Sequence, residues 1–219
     1  MINLYNRDCL EAMREMADNS FDLAIVDPPY GIGASSAKFM RTGTQTGNSK
    51  AIAGLYKSSQ WDNNIPSPEY FKELMRVSKN QIIWGGNYFI DHLYNSSCFV
   101  VWDKINGDNR YSDCELAWTS FKTGVRLFSY MWNGMLQEDM RNKEKRIHPT
   151  QKPTALYRWL LDKYAKKGDK ILDTHLGSGS IAIACHEMKF DLTAFELDPD
   201  YFEMASKRLE AHQRQLTLF

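Results

Sequence analysis

The feature that most constrains this chain is the run Phe21-Asp22-Leu23-Ala24-Ile25-Val26 and the way it ends, at Asp27-Pro28-Pro29-Tyr30. A nearly unbroken apolar hexapeptide reads as a strand buried on both faces, and such strands belong to parallel sheets covered by helices. Asp27 precedes a proline, which biases it away from the helical region. The two prolines have no N–H to donate, so strand pairing stops there. The result is a stiff loop that leaves carbonyl oxygens free, with a carboxylate on one side and an aromatic ring on the other. Such a loop accepts hydrogen bonds from an amino group and stacks on the planar group that carries it.

A second motif lies far downstream. Ile171-Leu172-Asp173-Thr174-His175-Leu176-Gly177-Ser178-Gly179-Ser180 reads as a strand, a glycine-rich turn and the start of a helix. Gly177 and Gly179 allow close approach of backbone to a ligand, and the helix offers unpaired N–H groups. Glu196 follows Asp173 by 23 residues and ends a second apolar strand, Leu192–Phe195. An acid in that place accepts from both hydroxyls of a ribose, the logic of nucleoside crevices in doubly wound sheets.

The remaining elements alternate in the same way. Ile2–Tyr5, Gln81–Trp84, Phe99–Trp102, Leu116–Trp118 and Leu127–Met131 read as strands. Ser67-Pro68-Glu69 is a helix start, with Ser as cap, Pro in the first turn and an acid at the positive end of the dipole. Pro153–Ala165 and Asp200–Arg214 read as further helices. The expected fold is α/β, a mostly parallel doubly wound sheet in a single domain spanning residues 1–219, a length that suits one buried core. Formal charge is zero, so any polyanion contact must come from local basic patches. Cys9, Cys98, Cys114 and Cys185 never form Cys-x-x-Cys and read as reduced thiols of a cytoplasmic protein. The histidines are dispersed, which argues against a structural zinc, and neither a leader nor a membrane-length run is expected.

Two stretches depart from the alternation. Residues 34–60 are rich in Gly, Ser and Thr and carry Lys38, Arg41, Lys50 and Lys57 with no acid. A loop that long inside a compact domain is functional or disordered; starting just after Tyr30, it can hang over the Asp27–Tyr30 loop and close on a polyanion, a flexible solvated loop being the other reading. The stretch Gln137–Lys152 carries Arg141, Lys143, Lys145, Arg146 and Lys152, and reads equally as a phosphate-contacting segment or a solvated face.

The tetrapeptide resembles the catalytic loop of S-adenosylmethionine-dependent amino-methyltransferases. Its position ahead of the cofactor glycines resembles the β group of DNA amino-methyltransferases, a circular permutation of the shared Rossmann-like fold. His148-Pro149-Thr150-Gln151-Lys152-Pro153 matches that group's segment at the methionine end of the cofactor. Further similarity runs through Asn6–Cys9, Ile82–Phe89 and Val101–Lys104, so it covers nearly the whole chain. By this resemblance Asp27, Pro28, Pro29 and Tyr30 are catalytic. S-adenosylmethionine would be held by Asp8, His148, Thr150, Gln151, Lys152, Asp173, His175, Gly177, Ser178, Gly179, Ser180 and Glu196, with Asp8 also readable as a helix cap. Trp84, Tyr88, Phe89 and Trp102 are candidates for walls of the base pocket. His175 and Thr174 stand where the family usually has phenylalanine and proline. The interval 122–147 is short for a target-recognition region, implying a short or relaxed recognition sequence.

The implied activity is direct transfer of a methyl group to a flipped-out base of double-stranded DNA, in a bacterial or phage restriction-modification setting. Aspartate in the tetrapeptide favours adenine-N6; cytosine-N4 is the nearest alternative, and a catalytically silent DNA-binding subunit is a third reading. No metal is expected. A homodimer stays open as a partner. So does a bacterial sliding clamp, because the tail Gln215-Leu216-Thr217-Leu218-Phe219 resembles clamp-docking peptides; packing of the tail on the core is the other reading.

Overall fold

The computed structural model describes residues 1–33, 62–107, 112–133 and 136–216. In chain order the elements are β1 (Ile2–Tyr5), α1 (Cys9–Arg14), β2 (Phe21–Val26), α2 (Pro68–Val77), β3 (Ser78–Trp84), β4 (Phe99–Asp103), β5 (Cys114–Thr119) and β6 (Arg126–Ser129). They continue with β7 (Trp132–Asn133), β8 (Leu136–Gln137), α3 (Thr154–Tyr164), β9 (Lys170–Asp173), α4 (Ser180–Met188), β10 (Asp191–Phe195) and α5 (Pro199–Leu216). Two 3-10 turns, Gly86–Tyr88 and Ile90–His92, follow β3.

The main sheet runs β1-β10-β9-β2-β3-β5-β4-β6, and β7 and β8 form a separate two-stranded ribbon. β5 is antiparallel to both its neighbours, the main sheet's other pairings are parallel, and β7 and β8 are antiparallel. Strand β2 shows why its sequence is apolar throughout. Leu23 and Ile25 join the core on one face, with residues of α3, α4 and α5, while Ala24 and Val26 join the core on the other, with residues of α1 and α2. Alternate side chains of one strand therefore serve two hydrophobic layers.

Helix α2 begins as its sequence implies: Ser67 Oγ accepts the Tyr70 N–H, and Pro68 occupies the first turn. It passes into β3 without a loop, so the strand expected at Gln81 starts at Ser78. The strand expected to reach Met131 stops at Ser129, because the Tyr130 N–H turns to the Asp103 carbonyl and the Met131 N–H to Glu138. Among the described residues no helix is long and apolar enough to cross a membrane.

One pairing positions the site. β2 lies beside β9 in parallel, with Leu23 opposite Ile171 and Ala24 opposite Leu172. The tetrapeptide after β2 and the glycine turn after β9 therefore leave the sheet side by side at its carboxyl edge, where open α/β sheets hold their ligands.

Candidate active site

The tetrapeptide loop is clamped from two directions. Asp62, 2 % exposed, accepts the backbone N–H groups of Tyr30 (2.7 Å) and Gly31 (3.0 Å) on one carboxylate oxygen. The Gly33 N–H reaches the Asp62 carbonyl at 3.0 Å, so both strands of chain leading to residues 34–61 are pinned together. On the other side the Tyr30 ring lies over Gly85, which has φ +71°. The Tyr88 ring stacks on that of Tyr30 at 5.0 Å between centroids, 16° from parallel. Trp84, Phe89 and Trp102 are fully buried in the core; of the four proposed pocket walls, Tyr88 is the half-exposed one.

Both oxygens of Asp27 are engaged. The Tyr30 hydroxyl donates to Oδ1 at 2.6 Å, and Nζ of Lys152 donates to Oδ2 at 2.5 Å. Lys152 also reaches the Tyr30 oxygen at 3.2 Å and Oε2 of Glu115, on β5, at 3.0 Å. Lys104, just beyond β4, pairs with the other oxygen of Glu115 at 2.6 Å. Lys152 is 3 % exposed, so an ammonium enters the interior only because three acceptors surround it. Burial raises the Asp27 carboxyl above the ordinary carboxylate range, against the pull of Lys152. Burial acts the same way on Glu115, but Lys152 and Lys104 together outweigh it and hold Glu115 low. The cation that the sequence offers to a cofactor carboxylate is committed in the structure to the Asp27–Tyr30 loop.

Beside this network the glycine turn is built from backbone. Gly177 and Gly179 take φ of +53° and +72°, conformations costly for other residues. A Cβ on Gly179 would meet Ala205 of α5 at 3.2 Å, which records how closely turn and helix approach. Glu196 accepts the Gly177 N–H at 2.8 Å and the Asp198 N–H at 2.9 Å, one on each oxygen. Each oxygen keeps a second acceptor site for a hydroxyl. Asp173, 2 % exposed, accepts the His175 N–H at 3.0 Å; burial pushes its carboxyl up to about 8, so it is protonated at neutral pH. His175 is edge-on to Tyr70, and burial lowers its imidazole to about 4. Asp8 caps α1 by accepting the Glu11 N–H, and its charge acts on His175.

The His148–Lys152 segment divides. His148, buried against Tyr201 and beside Gly177, is driven down to about 3 by burial and by Lys152, and is therefore a neutral ring. Its Nδ1 lies 3.1 Å from the hydroxyl of the exposed Thr150. Gln151 instead staples its own segment: its side chain accepts the Ile147 N–H, and its carbonyl accepts from Trp132. Ser178 and Ser180 are buried, with Arg208 donating to the Ser178 carbonyl and the Ser180 hydroxyl. The glycine turn thus brings together His148, Thr150, Gly177 and Glu196, with Gly179 in the same turn and His175 just before it. Gln151, Lys152, Asp173, Ser178 and Ser180 are used within the protein.

Of the basic residues expected at DNA, Arg141 and Lys143 are exposed in the turn after β8, while Lys38, Arg41, Lys50 and Lys57 lie outside the described residues. Among the described residues no group of three or more side chains is placed to hold a metal ion. Asp62 and Glu115 escaped sequence reasoning. Neither belongs to a motif, and each acquires its role only when a distant strand or loop arrives beside it.

The donor set suits a nucleoside carrying an amino-acid tail: a carboxylate for ribose hydroxyls, a glycine turn without side chains, and neutral polar groups beside it. A family model described as DNA methylase, of the N6/N4 type, matches residues 102–207. Type II methyltransferase M.HpaI of Haemophilus parainfluenzae is 24% identical over 93% of this chain and 73% of its own length. The crystal structure of the M1.HpyAVI complex with S-adenosylmethionine superposes with a TM-score of 0.59 at 21% identity, over 95% of this chain and all of that one. The PvuII cytosine-N4-specific DNA methyltransferase gives a TM-score of 0.59 at 14% identity, over 94% of this chain and 85% of that one. At these identities the structural likeness establishes the fold.

Proposed function

We propose, from the match of residues 102–207 to the N6/N4 DNA methylases and from the β-group motif order, that this chain belongs with those enzymes and methylates the N6 amine of adenine in double-stranded DNA with S-adenosylmethionine. The observation that carries this reading is the adjacency of β2 and β9, which sets the Asp27 loop beside the glycine crevice. Gly177, Gly179, Glu196, His148 and Thr150 would hold S-adenosylmethionine, which would supply a methyl group already activated on a sulfonium.

The residues of the loop act on the nucleophile. The lone pair of an exocyclic amine is delocalised into its base. Asp27 and the Pro28 carbonyl accept its N–H bonds, which draws the nitrogen toward tetrahedral geometry and localises the lone pair. Positive charge that develops on nitrogen faces the carboxylate in a largely water-excluded site, an electrostatic stabilisation. The burial that raises Asp27 makes it a better acceptor of the proton that nitrogen must lose. Tyr30, fixed by Asp27, Gly85 and Asp62, offers its ring to a flipped base. Arg141 and Lys143 are the described cations that suit phosphate contact.

Aspartate in the tetrapeptide favours adenine over cytosine. The test is transfer of a labelled methyl to duplex DNA, followed by digestion to nucleosides. The expected product is N6-methyl-2′-deoxyadenosine, absent with Asp27→Ala although that variant still binds S-adenosylmethionine. N4-methylcytosine would replace the base assignment, and no transfer alongside intact DNA binding would favour a silent subunit. Clamp tethering through Gln215–Phe219 is proposed on the tail sequence alone, of which 217–219 lie outside the described residues. Pull-down with a bacterial clamp, lost on truncation after Arg214, tests it.

A further inference from the structure

Lys152 donates to Asp27 and Tyr30, pairs with Glu115 as an ion pair, and is almost sealed from water. Its ammonium also stands 5.2 Å from the ring of the buried Trp84. Charges alternate along the row Asp27, Lys152, Glu115, Lys104, so the net charge of the four is zero. Glu115 is an odd member of it. Its Oε2 is buried and meets Lys152 as an ion pair rather than a well-angled hydrogen bond. Two carboxylates therefore share one ammonium, and whatever Glu115 gains from Lys152 is withheld from Asp27. A row of buried charges is a poor way to stabilise a core: apolar residues of similar volume often do as well or better. Its presence beside the reactive carboxylate suggests a different use.

We propose that Lys152 and Glu115 are positioning residues for Asp27: Lys152 aims the carboxylate at the target amine, and Glu115, by drawing on the same ammonium, keeps Asp27 basic enough to accept from it. The proposal rests on Asp27 being the group that acts on the amine. Without Glu115, Lys152 would pair with Asp27 alone, and the tighter ion pair would leave a weaker acceptor. Without Lys152, Asp27 and Glu115 would confront each other as like charges, and Asp27 would hold a proton at neutral pH. The other titratable groups whose charges act on Asp27 do not mimic either effect. Tyr30 on its own loop, Tyr70 on α2 and Tyr157 on α3 are held well above the ordinary phenol range by burial. Asp173 on β9 titrates near 8, on the alkaline side. Lys104 reaches the row through Glu115.

The experiment is a carbon-13 NMR titration of the Asp27 carboxyl, assigned by its loss in Asp27→Asn, in wild type, Glu115→Gln, Lys152→Met and the double variant. Glu115→Gln should lower the Asp27 midpoint and Lys152→Met raise it, each by about one pH unit or more, with the double variant between them. In single-turnover methyl transfer the acid limb of the rate should move in the same two directions, with KM for DNA unchanged in Glu115→Gln. Lys152→Met should lose about tenfold or more at pH 7 and recover as pH rises. Midpoints that stay put, or shift together in one direction, overturn the proposal. If Lys152→Met fails to fold, the isosteric Glu115→Gln decides alone by the presence or absence of its downward shift. The NMR arm needs no activity, so failure of methyl transfer would refute the proposed function and leave this inference to be judged separately.

Discussion

A Cβ built on Gly85 would stand 2.2 Å from Cε1 of Tyr30, nearer than a real side chain comes to anything. The Tyr30 ring rests directly on backbone, and the φ of +71° at Gly85 suits glycine for a second, independent reason. Gly85→Ala should therefore displace the Tyr30 ring and lower the rate of methyl transfer about tenfold or more, while binding of S-adenosylmethionine stays as in wild type. Single-turnover kinetics beside calorimetry would show it; an unchanged rate would mean that the ring can shift without consequence.

Asp62 carries a comparable burden through hydrogen bonds. Removing its side chain leaves two backbone N–H groups of the loop, on Tyr30 and Gly31, without their acceptor. Each such loss costs about 1–3 kcal/mol when the group stays buried. Asp62→Ala should lower unfolding free energy by roughly 2 kcal/mol and reduce turnover further. Asp62→Asn, which keeps an acceptor oxygen, should recover most of both. Urea denaturation of the pair provides the comparison.

Glu196 shapes the glycine turn by accepting two backbone N–H groups and, in the proposed function, also accepts from the ligand. Glu196→Ala should weaken S-adenosylmethionine by about 1–3 kcal/mol, and Glu196→Gln by less, because an amide keeps one acceptor oxygen. Gly177→Val should cost about tenfold or more in affinity through its φ rather than through lack of room, since the nearest atom to a Cβ is 3.9 Å away on His148. Wild-type calorimetric affinity in both Glu196→Ala and Gly177→Val would move the cofactor elsewhere.

The buried Asp173 makes stability depend on pH in a defined direction. Its folded-state carboxyl lies near 8, raised from an ordinary 3.8 by burial. Below the unfolded value both states hold the proton and the contribution is complete. Between about 4 and 8 the unfolded chain loses the proton first, so stability falls as pH rises through this window. Asp173→Asn removes the titration and keeps an oxygen for the His175 N–H. The variant should melt higher than wild type at pH 8, with the difference shrinking toward pH 4. A constant gap across that range would show that Asp173 is ionised in the folded protein.

Much of the framework was legible in the chain because it is local. An apolar hexapeptide stopped by two prolines cannot be other than a buried strand with a stiff exit, and Ser67-Pro68-Glu69 starts its helix where side-chain chemistry places it. Gly177 and Gly179 announce a turn of positive φ by their own composition. The crevice was legible in part. Glu196 reaches the turn as its spacing implies, whereas Gln151 and Lys152, contiguous with His148, face elsewhere. A contiguous motif specifies which residues are present, while the direction of each depends on neighbours that the motif does not contain.

Those neighbours are what the tertiary structure decided. Lys152 meets Asp27 across 125 residues of chain, Glu115 enters from an antiparallel strand, and Asp62 closes the loop from beyond residues 34–61. None of these contacts leaves a periodic or compositional trace, because each depends on strand order and register rather than on the residues beside it. Buried polar groups must find partners, and which partners lie in reach is known only when the sheet has assembled. The sequence by itself determined most of the sheet's strands and the glycine turn. The order of β9, β2, β3 and β5 in the sheet decided which carboxylates share the one ammonium.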